Sequence, residues 1–345
     1  MKLRTSQIPH PSGAALRTPL LIPSFSSKGF QLKTRGKFKG KSEIWELFYF
    51  ASEYLTDAML VSAYDMTYGH LPPANRMRSK TEITFVDSGA FETGPDYDLC
   101  AIHRYPNDVK KWTQEQYADF LSRWPRHSPA VFVSFDKKGA GHSVQEQVEQ
   151  ALGLFDRFPH HLHCFLLKPA LNRECSLEHT VQGAPTFAKV LAPFHFVGMA
   201  EKQLGDRLLA KMVTVAKLRR AMDEAGVTAP IHIFGSLDPL SVCLYMAAGA
   251  ELFDGLTWLR FGYKKGECVY MSNFGASAVG LDAVDDVVKL RVLSSNHSEL
   301  MGLQLAMRNA AAANDLRVLK PRIESYFRLI LEAVKSLDTR LKGGA

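Results

Sequence analysis

The sequence predicts an α/β fold: a (β/α)8 TIM-type barrel followed by a C-terminal helical extension. Two observations carry this. Strand-like apolar runs recur eight times before Trp258, with amphipathic stretches between most of them. Most of these runs also end in polar or Gly-containing turns, the edge where barrels of this kind build active sites. A doubly wound sheet is the alternative reading of the same alternation.

The strands are read at residues 19–25, 59–63, 83–87, 130–136, 163–169, 195–199, 230–235 and 251–256. Helices are read at residues 43–56, 114–124, 143–155, 186–191, 205–225 and 239–249. Residues 262–281 read as irregular, rich in Gly, Ser and Asn. From about Asp285 the chain turns helical, and Ile323, Phe327, Ile330, Val334, Leu337 and Leu341 make one apolar stripe. Pro321 stands near the start of that last helix and Gly343-Gly344 at its end. The expected division is a barrel over residues 1–265 and a mostly helical extension over 266–345, packed on the barrel.

A chain of 345 residues with 46% hydrophobic and 22% charged residues describes an ordinary globular protein with a large core. The basic N-terminus has no apolar stretch behind it, and no run approaches the ~18 apolar residues a membrane span needs. Five cysteines, at 100, 164, 175, 243 and 268, lack CxxC or CxC spacing. They read as reduced thiols of a cytoplasmic protein with no membrane association and no metal site built from them. His160, His161 and His163 lie together without carboxylate or Cys at ligand spacing, and residues 138–143 are Gly-rich but lack the P-loop Gly-Lys-Ser/Thr.

The net charge of +7 is unevenly spread. Residues 28–42 hold Lys28, Lys33, Arg35, Lys37, Lys39 and Lys41 and no acidic residue, with Gly and Phe interleaved. Such a segment suits phosphate binding, with Lys33, Arg35, Lys37 and Lys39 as the backbone contacts. A solvated, solubilising loop is the other reading.

The chemistry-bearing signal is a pair of aspartates. Val86-Asp87-Ser88-Gly89-Ala90-Phe91 and Leu252-Phe253-Asp254-Gly255 each place an Asp at the mouth of a predicted strand, with Gly within two residues. Two carboxylates facing one pocket can divide the work of nucleophile and general base. An isolated Asp there serves equally as a cap or Asx-turn.

Several segments together resemble the tRNA-guanine transglycosylase superfamily. Phe85-Val86-Asp87-Ser88-Gly89-Ala90-Phe91-Glu92 is similar to its Asp-Ser-Gly-Gly-Phe/Tyr-Gln signature. Phe253-Asp254-Gly255-Leu256-Thr257-Trp258-Leu259-Arg260 is similar to Phe-Asp-Cys-x-x-Pro-Thr-Arg. In between, Ser134-Phe135-Asp136, Val197-Gly198-Met199-Ala200-Glu201 and Phe234-Gly235-Ser236-Leu237-Asp238-Pro239 resemble its Phe-Asp-Glu, Gly-Gly-Leu-Ala-x-Gly-Glu and Met-Gly-x-Gly-x-Pro motifs. Thr18-Pro19-Leu20-Leu21-Ile22-Pro23 looks like the family's first barrel strand. The resemblance spans roughly residues 15–265 in consistent order.

The resemblance implies exchange of guanine in a nucleic acid for a free 7-deazaguanine base, through a covalent glycosyl-enzyme and without a cofactor. It makes Asp254 the nucleophile and Asp87 the general base. It makes Asp136 the acceptor for the N1 and 2-amino edge, which a carboxylate takes in bidentate fashion. Phe91 and Phe234 fall where the family sandwiches the base. Ser88, Lys168 and the backbone of Gly198 and Met199 fall at its remaining ring contacts, and Arg260, with Lys264 and Lys265, beside the substrate phosphates. Asp136 paired to Lys137 or Lys138, Phe91 and Phe234 in the core, and a solvated Arg260 cluster are the plainer alternatives.

Departures from the pattern shape the substrate reading. The tRNA enzymes carry Cys-x-Cys-x-x-Cys and a later His for zinc; here Cys268 stands alone after Asp254 and His297 is the one His there. No zinc subdomain is therefore expected. The family's Val-Gln-Gly letters recur at Val181-Gln182-Gly183, past the strand, whereas the strand register puts Lys168 at that place. Ala90 replaces the second Gly of the first motif and Glu92 its Gln. The zinc-less pattern is more like the DNA-modifying branch, so DNA is the favoured polymer. A divergent tRNA enzyme is the first alternative and a non-catalytic nucleic-acid-binding subunit the second; a helper protein or a homodimer is compatible with any of these.

Overall fold

The computed structural model describes residues 2–76, 81–93, 109–135, 142–170 and 176–343. Eight parallel strands close into a barrel: β1 (Leu20–Phe25), β2 (Ala58–Ser62), β3 (Ile83–Asp87), β4 (Ala130–Val133), β5 (Leu162–Leu167), β6 (Phe196–Ala200), β7 (Ile231–Phe234) and β8 (Leu252–Gly255). Each pairs with its sequence neighbour, and β8 returns to β1 with Asp254 opposite Ile22. Closure excludes the doubly wound alternative.

Every residue of β1 and β2 is buried, because helices cover the outer face and side chains fill the interior. The two faces alternate as the pleat requires. Leu20, Ile22, Leu60, Phe85, Val133, Cys164, Phe196 and Leu252 pack inside; Leu21, Met59, Val86, Phe132, Phe165 and Phe253 pack outward against the helices. The interior is a filled core, with the polar residues Ser24, Ser62, Asp87, His232 and Asp254 continuing the inward alternation of their strands.

The structure departs from the sequence reading in several elements. An N-terminal hairpin pairs Gln7–Pro9 with Ala15–Arg17, and its Ile8 and Leu16 pack on the interior cluster. Its base is held by Glu251, buried, whose Oε2 accepts from Ser6 Oγ (2.7 Å) and Thr18 Oγ1 (2.6 Å). The stretch read as irregular holds a second hairpin, Gly262–Lys264 with Glu267–Val269, and a helix over Met271–Ala278. Its turn needs Gly266: φ is +81°, and an added Cβ would stand 2.4 Å from the Arg322 carbonyl oxygen. A short helix, Leu177–Gln182, precedes the predicted segment at 186–191, which forms as Ala184–Phe187 and a 3-10 turn.

The extension is built into the barrel. Its long helix, Asp285–Ala313, sends Gln304 to accept from the Leu21 amide of β1 (2.7 Å), while Arg308 donates to the carbonyls of Pro19 and Arg17. Asn296, fully buried, accepts from Tyr263 N and donates to the Trp258 and Phe261 carbonyls, each at 2.6 Å. The last helix, Glu324–Gly343, buries Ile330 and Leu337 of the predicted stripe, against the helices Leu208–Glu224 and Pro239–Ala247. The expected boundary at residue 265 falls inside the second hairpin. No helix among the described residues is long and apolar enough to cross a membrane.

A group of histidines lies at the opposite end of the strands from Asp254. His10 Nε2 accepts from Ala130 N, His161 packs on Phe132, and His163 stacks on Phe155 at 4.3 Å. Burial brings His161 and His163 down to about 4. Both are then neutral in the fold while the unfolded chain takes up protons below about pH 6.5, so stability falls as pH drops from 6.5 toward 4. By pH 5 the loss should reach about 1–2 kcal/mol per imidazole. Urea unfolding at pH 7.5 and 5 measures it, and His161→Phe should make the loss smaller; an unchanged loss refutes this account.

Candidate functional site

Asp254, 5% exposed, ends β8 at the C-terminal mouth of the barrel. Its Oδ2 accepts from Ser24 Oγ (2.7 Å) on the adjoining strand. Ser24 is itself held, since its carbonyl accepts from the Trp258 indole (3.1 Å), and Trp258 is fully buried. The other carboxylate oxygen, Oδ1, lies 3.0 Å from Nε2 of His232, a fully buried imidazole on β7. That pair is not aligned as a hydrogen bond: Oδ1 and both imidazole nitrogens lack a hydrogen-bond partner among the described residues.

Asp87 ends β3, three strands around the barrel from Asp254. It is half-buried, and its Oδ2 accepts from Gly89 N (3.1 Å), which folds the turn back over the carboxylate. Gly89 is required twice over: φ is +84°, and a Cβ would meet Tyr64 Cβ at 2.4 Å. Ser88 is fully buried, its carbonyl accepting from the Trp112 indole (2.6 Å). The two carboxylates share one interior. Burial pushes the Cys164 thiol well up, and the charges of Asp254 and Asp87 add to the shift.

The other expected residues fall as follows. Asp136 lies outside the described residues, as do Lys137 and Lys138. Phe234 is half-buried and stacks on His232 (ring centroids 3.9 Å), with its edge against Gly198, where a Cβ would meet the ring at 2.4 Å. The close approach that Gly198 permits is thus taken by Phe234. The Met199 side chain points into the outer core, leaving only its backbone for the mouth. Lys168 follows β5; Gln147 clamps its backbone through both amide atoms, and its Nζ donates to Gln203 Oε1 (3.4 Å). Gln182, of the recurring Val-Gln-Gly letters, ends the helix Leu177–Gln182 that follows β5. Asp238 caps the helix Pro239–Ala247, accepting from Leu240 N and Ser241 N, each at 3.1 Å.

Phe91, 36% exposed, sits on the short helix Ala90–Thr93 beneath two ammonium groups, Lys28 Nζ at 4.2 Å and Lys202 Nζ at 5.2 Å from the ring centroid. Lys28, the first cation of the basic segment, is therefore buried at the mouth, donating to the Phe91 carbonyl (2.8 Å). Lys33 is half-buried and pairs with Glu46 (2.7 Å), which holds it further up the lysine range. Arg35, Lys37, Lys39 and Lys41 are exposed; Lys37 lies over Tyr49 and Lys41 over Trp45. Arg260 donates to the Lys28 carbonyl (2.9 Å), tying the segment to the turn after β8, while Lys264 and Lys265 stand exposed on the hairpin.

Sequence reasoning missed His232, Ser24 and Asp65 and took Glu92 only as a departure from the first motif. His232 and Ser24 face inward by strand alternation, and neither lies within a signature segment. Asp65, fully buried, accepts from Ser27 N (2.6 Å) and Ser27 Oγ (2.5 Å), while Glu92 accepts from Ser26 Oγ (2.5 Å). Burial and their mutual repulsion raise Asp65 well above the carboxylate range, and burial raises Glu92. These two acids fasten residues 26–28 over the mouth. Among the described residues no group of three or more His, Cys, Asp or Glu side chains is arranged to hold a metal ion. Comparison with models of known protein families gives no match, and comparison with curated proteins gives none either.

Proposed function

We propose that this chain is a guanine transglycosylase acting on nucleic acid, with DNA the favoured polymer, exchanging guanine for a free 7-deazaguanine base. One observation carries the reading. The two aspartates singled out by the motif resemblance stand at the C-terminal ends of β8 and β3 and bear on one interior, with Asp254 held through Oδ2. A carboxylate nucleophile has to be aimed at the sugar carbon, and the Ser24 hydrogen bond fixes one of its oxygens.

In the proposed reaction an Asp254 oxygen bonds to the sugar C1′ as the C1′–N9 bond breaks. The electron pair leaves with guanine, which takes a proton from Asp87. The incoming base then returns a proton to Asp87 and attacks C1′, and the ester's electron pair goes back to Asp254. The preference for DNA rests on the stretch after Asp254. Its sequence lacks the Cys-x-Cys-x-x-Cys pattern of the tRNA enzymes, and its hairpin is tied instead to Asn296 through Tyr263 N.

Incubation with labelled guanine and either DNA or tRNA tests the reading. Label should enter DNA; entry into tRNA alone transfers the proposal to the RNA enzyme, and entry into neither removes it. Arg35, Lys37 and Lys39 are the exposed cations proposed to follow the substrate backbone. Changing all three to Gln should flatten the log–log salt dependence of polymer affinity by roughly 0.7–0.9 for each phosphate no longer neutralised. Affinity should fall for all sequences alike, because cations on the backbone position the polymer without reading bases. Parallel salt plots for the wild type and the triple variant would leave the segment a solubilising loop.

A further inference from the structure

His232 is an anomaly in its layer of the barrel. It is fully buried, edge-on to Phe85 (5.5 Å) and stacked on Phe234 (3.9 Å), yet neither nitrogen has an aligned partner among the described residues. On the flanking strands it is in register with Gly198 and Leu252, and an apolar side chain here would avoid burying two polar atoms. The unpaired Nε2 faces the unpaired Oδ1 of Asp254 at 3.0 Å. A buried donor and acceptor at this distance need only a small turn of the ring to form a hydrogen bond, and burial of both favours it.

We propose that His232 is a positioning residue for Asp254: its neutral imidazole carries the proton on Nε2 and donates it to Oδ1 whenever the carboxylate is charged. Ser24 and His232 then hold one oxygen each, fixing the plane of the group. Within the transglycosylase reading, on which the kinetic half of this proposal rests, the two chemical steps use that bond differently. Forming the C1′–O bond discharges the carboxylate and weakens the His232 hydrogen bond. Breaking it returns the electron pair and negative charge to Asp254, and the bond re-forms. His232 keeps its proton throughout, so the step balances without it. Its effect is to make Asp254 the better leaving group and so shorten the life of the covalent adduct.

The test compares His232→Phe, which removes the donor, with His232→Gln, whose side-chain amide can reach the same place. Adduct formation is followed with DNA alone, and adduct decay after adding a 7-deazaguanine base. In His232→Phe the acid limb of adduct formation should move up by about one pH unit, because Asp254 loses a donor to its charged form. The adduct should decay about tenfold more slowly, and His232→Gln should recover most of both changes. Besides His232 itself, Asp254, Asp87 and Cys164 bear on this interior, and all three are unaltered in both variants. A folded His232→Phe with the wild-type limb and adduct lifetime overturns the proposal.

A second measurement needs neither adduct nor variant at His232. Imidazole 15N shifts of the wild-type protein should assign the proton to Nε2, and the Nε2 shift should change in Asp254→Asn. An Nδ1–H tautomer, or shifts indifferent to Asp254, overturns the positioning role even if His232→Phe fails to fold. Absence of any wild-type adduct on DNA or tRNA, with the expected 15N shifts, would instead count against the transglycosylase reading alone.

Discussion

Asp254→Asn should lower the proposed base exchange by about 10⁴-fold or more, the scale of losing a covalent nucleophile. The substitution keeps the shape and the hydrogen bond from Ser24, and it relieves a buried charge, so folding and polymer binding should stay near normal. The loss is chemical: an amide oxygen is a poor nucleophile and gives no stable glycosyl ester. Denaturing electrophoresis after incubation with polymer and no incoming base should show an adduct for wild type and none for the variant. An adduct at wild-type yield in Asp254→Asn would remove Asp254 from the nucleophile's role and leave the second barrel aspartate, Asp87, as the next to test.

The largest loss of stability is expected at Asn296. Its side chain meets three backbone groups, Tyr263 N–H and the carbonyls of Trp258 and Phe261, all at 2.6 Å and with no exposure of its own. Alanine would strand all three. Each buried group left unpaired costs about 1–3 kcal/mol, so Asn296→Ala should lose about 3–5 kcal/mol, with some recovery by water entry. Trp258 is the indole that holds the Ser24 carbonyl, and Ser24 holds Asp254. Exchange should therefore fall along with stability, and at temperatures well below unfolding. Chemical unfolding measures the first effect and initial rates the second; a loss below about 1 kcal/mol would mean the three groups find other partners.

The barrel is legible in sequence because its strands are buried on both faces. Runs such as Ala130–Val133 and Leu162–Leu167 are apolar almost throughout and stand out against the amphipathic helices between them. The hairpins are not legible. Their strands are three residues long, too short for alternation to register, and Lys264-Lys265 reads as a charged cluster before it reads as the arm of a turn. At the site, the strand-end aspartates and the Gly89 turn follow from local pattern. His232 does not: Ile231-His232-Ile233-Phe234 looks like any core strand, and only the pairing of β7 with β8 sets that imidazole beside Asp254. In sequence, Lys28 and Lys33 look no different from the charged residues beside them. Long aliphatic stems and nearby carbonyls or Glu46 draw these two inward instead.

The seam between β1 and β8 has a bearing on how the protein comes to exist in a cell. Ser24 and Asp254 are 230 residues apart, and the Leu21 amide waits for Gln304, a further 50 residues along the chain. During synthesis the first strand emerges long before either partner, and the growing sheet keeps two unpaired edges until β8 is delivered. Pairings of such sequence separation form late and slowly. The proposed nucleophile consequently has no half-built precursor. A nascent chain stalled before the long helix would hold all eight strands and both aspartates yet lack the Gln304 clamp on β1.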